Sequence, residues 1–279
     1  MTREAVRAEL ARRGLAPHRA RGQNFLVDAR IADEIAEEAG IGPGEAVIEI
    51  GPGLGVLTRA LAARARRVVA VEIDAGLVRA LAEEGLPDAV EVIHGDALAV
   101  DLEALARRLG PDVRVVANLP YSISSPLLRR LLDLRAQLLG WLVLVQHEVA
   151  LRMAARAGSR DYGSLAVLHR LCARVERLRS LPPHCFHPAP KVTSTLVRVT
   201  PLDPAGLADD ELAWVERVVR AAFGQRRKTL LNALRAGLRP ARDPGVLLGI
   251  LEQLGIERRT RAEALEPAEH LALARALRQ

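Results

Sequence analysis

The stretch Ala46-Val-Ile-Glu-Ile-Gly51-Pro-Gly53-Leu-Gly55 decides the fold. Its first half is a short apolar run, and its second half is dense in glycine. Such a run bounded by turn residues reads as a buried strand. The glycines then let the chain turn tightly into a helix over 55–63. Reading outward, the same rhythm repeats. Arg-Val-Val-Ala-Val-Glu (67–72) is a second strand, followed by a helix over 74–84. A third strand over 89–96 leads to a helix over 101–109, and a fourth over 113–118 leads to a helix over 124–133. Trp-Leu-Val-Leu-Val-Gln (141–146) is a fifth strand. Strand and helix alternating in this way predict an α/β domain with a parallel, doubly wound sheet. Ligands of such sheets sit beyond the carboxyl ends of the strands.

Upstream, residues 3–13 read as a short basic helix, and Arg19–Gln23 as a loop. Asp28 suits the N-cap of a helix over 29–39, with Ile31, Ile35 and Ala39 at helical spacing. Downstream of 147 the rhythm changes. A helix over 147–157 is followed by a small Gly/Ser/Tyr loop over 158–164, a Pro-dense stretch over 180–191 and a strand over 192–199. Pro201, Pro204 and Gly206 read as a linker, and residues 209–279 carry a helical period throughout. The expected division is a sheet domain over 1–202 and a small all-helical domain over 203–279.

The chain has 279 residues, 49% hydrophobic and 27% charged, which is ordinary globular composition. That excludes disorder for its bulk. No apolar run approaches the ~18 residues that a spanning helix needs, and the first residues lack the apolar core of a signal peptide. Cys172 and Cys185 are too few for a disulfide scaffold, so a cytoplasmic setting is expected. Charge is unevenly placed. Residues 28–112 hold 8 Arg against 17 Asp plus Glu, a net of −9, whereas the whole chain is +6. Basic flanks around an acidic segment point to a polyanionic partner.

The glycine turn follows the spacing G-x-G-x-G, not the G-x-G-x-x-G of dinucleotide sites, which holds a pyrophosphate. Glu72 lies at the end of the second strand, where a carboxylate can accept from both hydroxyls of a ribose. Asp96 ends the third strand, within reach of an adenine amino group. Gly51, Gly53, Glu72 and Asp96 therefore suit a nucleoside cofactor without a diphosphate, and S-adenosylmethionine fits.

Asn118-Leu119-Pro120-Tyr121 ends the fourth strand. It suits methyl transfer to an exocyclic amine. The lone pair of such a nitrogen is delocalised into the ring, which makes it a poor nucleophile. Two acceptors aimed at its two hydrogens, the Asn118 side-chain oxygen and the Leu119 carbonyl, favour a pyramidal nitrogen with its lone pair free. Pro120 fixes the turn, and Tyr121 offers a ring on which a base stacks, worth roughly 1–3 kcal/mol. Phe186, in the stiff stretch Pro182–Val192, is expected to cover the opposite face of the base. Only three asparagines and seven aromatics occur, and Asn24, Phe25, Asn118 and Tyr121 all sit in loops at element ends.

Five motifs then occur in order: Gly22-Gln-Asn24-Phe-Leu26, the Glu49–Gly55 turn, Asn118–Tyr121, the run Pro182-Pro-x-x-Phe186-x-Pro-x-Pro-Lys191-Val192, and Phe223-Gly-Gln-Arg-Arg-Lys-Thr229. Together they resemble the small-subunit (16S) ribosomal RNA adenine dimethyltransferase family, associated with kasugamycin sensitivity. The resemblance implies a Rossmann-like S-adenosylmethionine-dependent methyltransferase. It implies transfer of four methyl groups to two adjacent adenosines near the 3′ end of that RNA, within an immature 30S subunit. Cofactor contacts from Asn24, Leu26, Gly51, Glu72, Asp96 and Asn118 are implied as well. A monomer without metal or membrane attachment is expected. Ser122 departs from the family, which often carries Asn there. The large-subunit resistance methyltransferases are similar in the first domain, but usually show Ile where Leu119 stands and differ in the terminal domain. A non-catalytic RNA-binding assembly or transcription factor is the other alternative, and the intact Asn118–Tyr121 run argues against it.

An Arg-rich RNA footing is expected in 152–179 and 214–239, with Gln225-Arg226-Arg227-Lys228 at a helix start, where the dipole disfavours cations. Other patterns fail. His147-Glu148 begins H-E-x-x-H, but position 151 is Leu. His184, Cys185 and His187 lack zinc-finger spacing, and no partner residues support Ser164 or Ser194 as a triad serine.

Overall fold

In the computed structural model, which describes residues 2–18, 22–203 and 207–278, the strand read first is buried at every position. The elements run α1 (Arg3–Arg12), β1 (Phe25–Leu26), α2 (Ala29–Glu38), β2 (Ala46–Ile50), α3 (Val56–Ala62), β3 (Arg67–Glu72) and α4 (Ala75–Glu84). They continue with β4 (Val90–His94), α5 (Leu102–Leu109), β5 (Val113–Asn118), α6 (Ser124–Asp133), β6 (Gly140–Gln146), α7 (His147–Ala154) and α8 (Ser164–Cys172). Last come β7 (Ala173–Leu181), β8 (Phe186–His187), β9 (Ser194–Pro201), α9 (Asp209–Phe223), α10 (Leu230–Gly237), α11 (Pro244–Gln253) and α12 (Pro267–Ala276). The linker expected at Pro204 and Gly206, and Arg19–Arg21 of the first loop, lie outside the described residues.

Seven strands form one sheet in the order β4-β3-β2-β5-β6-β9-β7. Pairing is parallel from β4 to β6, while β9 joins β6 antiparallel. The sheet is therefore Rossmann-like and mostly parallel, with an antiparallel addition on one side. Ile50 faces Val71 on β3 and Ala117 on β5, so these three strands end level. The strand order reverses between β2 and β5, which makes a crevice at their carboxyl ends. Asp28 caps α2 and Asp74 caps α4 through their side chains, as N-cap carboxylates do.

Contacts divide the chain into two units, residues 1–150 with 176–201, and residues 151–175 with 202–279. Residues 151–175 group with the later helices because α8 packs on α9 and α12. The second unit has a core built on Val215, Val219, Leu234, Leu251 and Leu273. Its helices start on strong local signals: Asp243 caps α11 with Pro244 behind it, and Glu266 and Glu269 form a capping box on α12.

Several elements differ from the sequence reading, which also left α8 unassigned. β7 has the sequence ARVERLRSL, mostly partly or fully exposed, and gives no apolar run. β1 and β8 have two residues each, too few for any period. Residues 225–228 form the turn between α9 and α10, not a helix start; α10 begins at Leu230 after Thr229.

Candidate active site

The turn from β2 into α3 is held in left-handed backbone, with φ of +70° at Gly51, +58° at Gly53 and +75° at Gly55. At Gly53 the need for glycine is also steric, since a Cβ there would lie 2.8 Å from Cδ1 of Phe25. Phe25 is itself buried, so it braces the turn from below. The Gly53 N–H donates to Glu72 Oε2 at 3.2 Å, and the Asp74 N–H donates to Glu72 Oε1 at 2.9 Å. These backbone bonds fix the carboxylate at the end of β3. Burial pushes the Glu72 carboxyl above its ordinary range, against the pull of those N–H groups.

A cleft of about 1040 Å³, counting the space open to solvent at its mouth, lies over these strand ends. The structure brings Asn24, Leu26, Gly51, Gly53, Glu72 and Asp96 to its wall. Asn118, Leu119 and Pro120 line it as well. Asp96 Oδ1 accepts from the Leu98 N–H at 2.8 Å, which closes a small turn after β4.

Sequence reasoning missed several wall residues. Ile73, Leu77 and Ala97 give the cleft apolar surface, and they carry no signal of their own beyond following Glu72 and Asp96. Glu49 is the important omission. The residue is 1% exposed, it lines the cleft, and its Oε2 has no hydrogen-bond partner among the described residues. Burial pushes its carboxyl up to about 8; the Thr58 hydroxyl opposes that shift and the charge of Glu72 adds to it. A lone acid inside an otherwise apolar strand was the available signal.

At the end of β5, Asn118 Nδ2 donates to the main-chain oxygen of Asn24 at 2.8 Å. Asn24 Nδ2 in turn donates to the Gly22 carbonyl at 3.0 Å. The Gly22 backbone lies close to the next loop: a Cβ on it would stand 3.1 Å from the Tyr121 nitrogen. The Leu119 N–H goes to Leu144 O at 3.1 Å, while the Ile123 N–H and the Ser124 hydroxyl both reach the Pro120 carbonyl. Tyr121 is partly buried and stands beside the cleft rather than in its wall, with its hydroxyl 2.7 Å from Ser194 Oγ. Burial pushes the Tyr121 phenol up.

Phe186 is not brought to this site. It is 0% exposed, pairs with Leu26 across the β1–β8 ladder and belongs to the core under the sheet. One turn of 3-10 helix at Pro183–Cys185 turns the chain inward just before it. The proline-dense stretch therefore buries its aromatic instead of presenting it.

In the second unit, Arg226 is tied to the Arg160 carbonyl and to Glu263, and Arg220 pairs with Glu216. Arg227 and Lys228 are exposed in the α9–α10 turn, with no acidic partner among the described residues. Among the described residues no group of three His, Cys, Asp or Glu could hold a metal ion. No described helix is long and apolar enough to cross a membrane.

A mostly parallel sheet with a glycine turn after β2, an acid closing β3 and Asn-Leu-Pro-Tyr closing β5 defines a Rossmann-like methyltransferase. A family model described as ribosomal RNA adenine dimethylase matches residues 15–277, and the chain belongs to that family. Curated relatives agree. The ribosomal RNA small subunit methyltransferase A of Pelotomaculum thermopropionicum is 43% identical, covering 96% of this chain and 94% of its own. The protein of the same name from Moorella thermoacetica is 45% identical over 95% of this chain and 94% of its own. Among solved structures, a dimethyladenosine transferase from Plasmodium falciparum superposes with a TM-score of 0.73 at 28% identity, covering 89% of this chain and 95% of that one. The 23S rRNA methyltransferase ErmE superposes with a TM-score of 0.64 at 27% identity, covering 92% of this chain and 100% of that one.

Proposed function

We propose that this enzyme transfers methyl groups from S-adenosylmethionine to the exocyclic amines of two adjacent adenosines near the 3′ end of small-subunit ribosomal RNA, while the subunit is being assembled. The observation that carries the reading is the Asn118–Asn24 contact. The Asn24 carbonyl only accepts, so Asn118 must turn its Nδ2 toward it, which keeps Oδ1 for a donor. Together with the Leu119 carbonyl, on a residue that lines the same cleft, it offers two acceptors for the two hydrogens of an adenine amine.

The cleft fits the cofactor on its own chemistry. Glu72 offers acceptors for a ribose diol, Asp96 an acceptor for an adenine amine, and the unpartnered Glu49 Oε2 lacks the donor that an amino-acid tail supplies. When bound, S-adenosylmethionine supplies a methyl group on a positively charged sulfur. Asn24, Leu26, Gly51, Gly53, Glu72, Asp96 and Asn118 are the residues proposed to hold it. Pro120 fixes the loop, and Tyr121 stacks the target base once it is flipped or unpaired. Holding the amine in one orientation is where most of the barrier reduction arises. No general base is needed, because the alkylated nitrogen is a strong acid that loses its proton to water. The second methyl leaves one fewer hydrogen to accept, so one of the two acceptors goes without its bond.

The helical unit, with its exposed Arg227 and Lys228, is proposed as the RNA footing of a cytoplasmic monomer. The test is transfer of radiolabelled methyl groups from S-adenosylmethionine to immature small subunits and to free large-subunit RNA. Label on the small-subunit RNA alone, as N6,N6-dimethyladenosine, is expected. Label on large-subunit RNA, or on neither, overturns the reading.

A further inference from the structure

The ring of Tyr121 is clamped at both ends. At the main-chain end, Gly22 packs so closely that a Cβ on it would lie 3.1 Å from the Tyr121 nitrogen and 3.2 Å from the Ser122 nitrogen. At the far end, the Tyr121 hydroxyl lies 2.7 Å from Ser194 Oγ, well inside hydrogen-bond range.

Ser194 is a fixed point. It is 0% exposed and opens β9, opposite Gln146 of β6. The residues on either side are tied to the same histidine: the His147 N–H donates to the Thr193 carbonyl at 2.9 Å, and His147 Nδ1 lies 2.9 Å from Thr195 Oγ1. Thr195 Oγ1 also meets Ser180 Oγ at 3.0 Å. The backbone that carries Ser194 is thus held by the β6 ladder and by its side-chain neighbours.

We infer that Ser194 is a positioning residue for Tyr121, whose ring it aims as the platform for the target adenine; this rests on the reading proposed above. A phenol hydroxyl lies on the χ2 axis of its ring. The bond therefore does not set the tilt of the ring; it fixes where the axis points. Without it the ring swings about χ1 between staggered wells, and the stacked base swings away from the Asn118 and Leu119 oxygens. The phenol is protonated near neutral pH, and burial pushes its pKa further up, so its hydrogen is available for the contact. The Pro182–Val192 stretch thus leads into the serine that holds the Tyr121 ring.

The experiment compares wild type, Ser194→Ala, Tyr121→Phe, the double variant and Ser194→Thr, on immature small subunits with labelled S-adenosylmethionine. The two single variants remove the same bond from opposite ends, so a folding defect in one does not mask the other. Each is expected to lose about fivefold in the transfer rate, the value of one neutral hydrogen bond. The double variant should lose no more than either single one, and Ser194→Thr should recover most of the rate. Cofactor affinity should not change, since Ser194 does not line the cleft. Quenching of 2-aminopurine placed at the target position should weaken in Ser194→Ala, because stacking on the ring is what quenches it. Wild-type rates in Ser194→Ala, additive losses in the double variant, or an equal loss of cofactor affinity would each overturn the inference while leaving the proposed function standing. If the wild-type chain transfers nothing to these particles, the proposed function falls, and the platform role of Tyr121 falls with it.

Discussion

Asn118 Nδ2 donates at 2.8 Å to the main-chain oxygen of Asn24, a residue 94 positions away. The contact joins the loop before β1 to the end of β5, and it decides which end of the Asn118 amide is presented to a ligand.

Removing that amide should act on chemistry more than on binding. Asn118→Ala is expected to slow the single-turnover methyl transfer by about 10²-fold, the usual cost of losing one preorganised polar group at a reacting centre. RNA affinity should stay near wild type. Asn118→Asp keeps an acceptor but sets a carboxylate oxygen against the Asn24 carbonyl, so it should fail as well. Rapid-quench rates beside filter-binding affinities check both. An active Asn118→Asp enzyme would mean that the Asn24 contact does not orient the amide.

Glu49 should make the protein respond to pH. Its carboxyl is pushed up to about 8 in the fold from an ordinary value of 4.5. Between those values the native state holds a proton that the unfolded chain has lost. Stability is therefore fully present below about pH 4.5 and declines as pH rises through 8. A cationic ligand group beside Glu49 favours the ionised form, so cofactor affinity should rise over the same interval. Glu49→Gln should flatten both slopes. Thermal unfolding and calorimetric titration with S-adenosylmethionine between pH 5 and 9 measure them.

The sheet was legible because its strands are largely buried on both faces, so β2, β3 and β5 appear as mostly apolar runs with helices between them. α6 is found over the span its pattern predicts, 124–133. β7 was not legible, since ARVERLRSL mixes charges into a strand that is mostly partly exposed. At the site, glycines and acids at strand ends marked the cleft, because such residues have no reason to interrupt a core. The burial of Phe186 was not legible. Prolines around an aromatic suggest presentation, but the inward turn at Pro183–Cys185 and the two-residue pairing with Leu26 are tertiary facts. The Ser194 contact shows in no local pattern, since it depends on what faces that residue in the fold, whereas Glu49 was marked only as a lone acid in an apolar strand.

His270 gives the helical unit its own acid sensitivity. It is 0% exposed, its Nε2–H donates to the Ala262 carbonyl at 3.0 Å, and its ring packs beside Phe223 at 5.4 Å. Burial lowers its pKa from 6.5 to about 4, outweighing the Ala262 carbonyl and Glu269, which both raise it. The unfolded chain thus binds a proton that the native state refuses, and stability is lost as pH falls from about 6.5 through 4. His270→Gln keeps a donor for Ala262 without titrating. It should flatten that loss in unfolding curves recorded from pH 7 down to 4, at a cost near neutral pH of about 1–3 kcal/mol for imperfect packing and hydrogen bonding.

Arg226, Arg227 and Lys228 are adjacent in sequence but differ in what holds them. Arg226 is engaged by the Arg160 carbonyl and Glu263, so it ties α9 and α10 to their neighbours within the unit. Arg226→Ala should lower the unfolding temperature more than it weakens RNA binding. Arg227 and Lys228 are exposed without an acidic partner among the described residues, and both stand just before the positive end of α10. A phosphate there gains from the side-chain charges and from the helix dipole together. Replacing both with Ala should leave thermal stability near wild type. It should weaken RNA binding uniformly across sequences and reduce the slope of log affinity against log salt by about 2, one for each phosphate that is no longer neutralised. Affinities measured between low and moderate salt decide the matter: an unchanged slope would place the RNA footing elsewhere on the molecule.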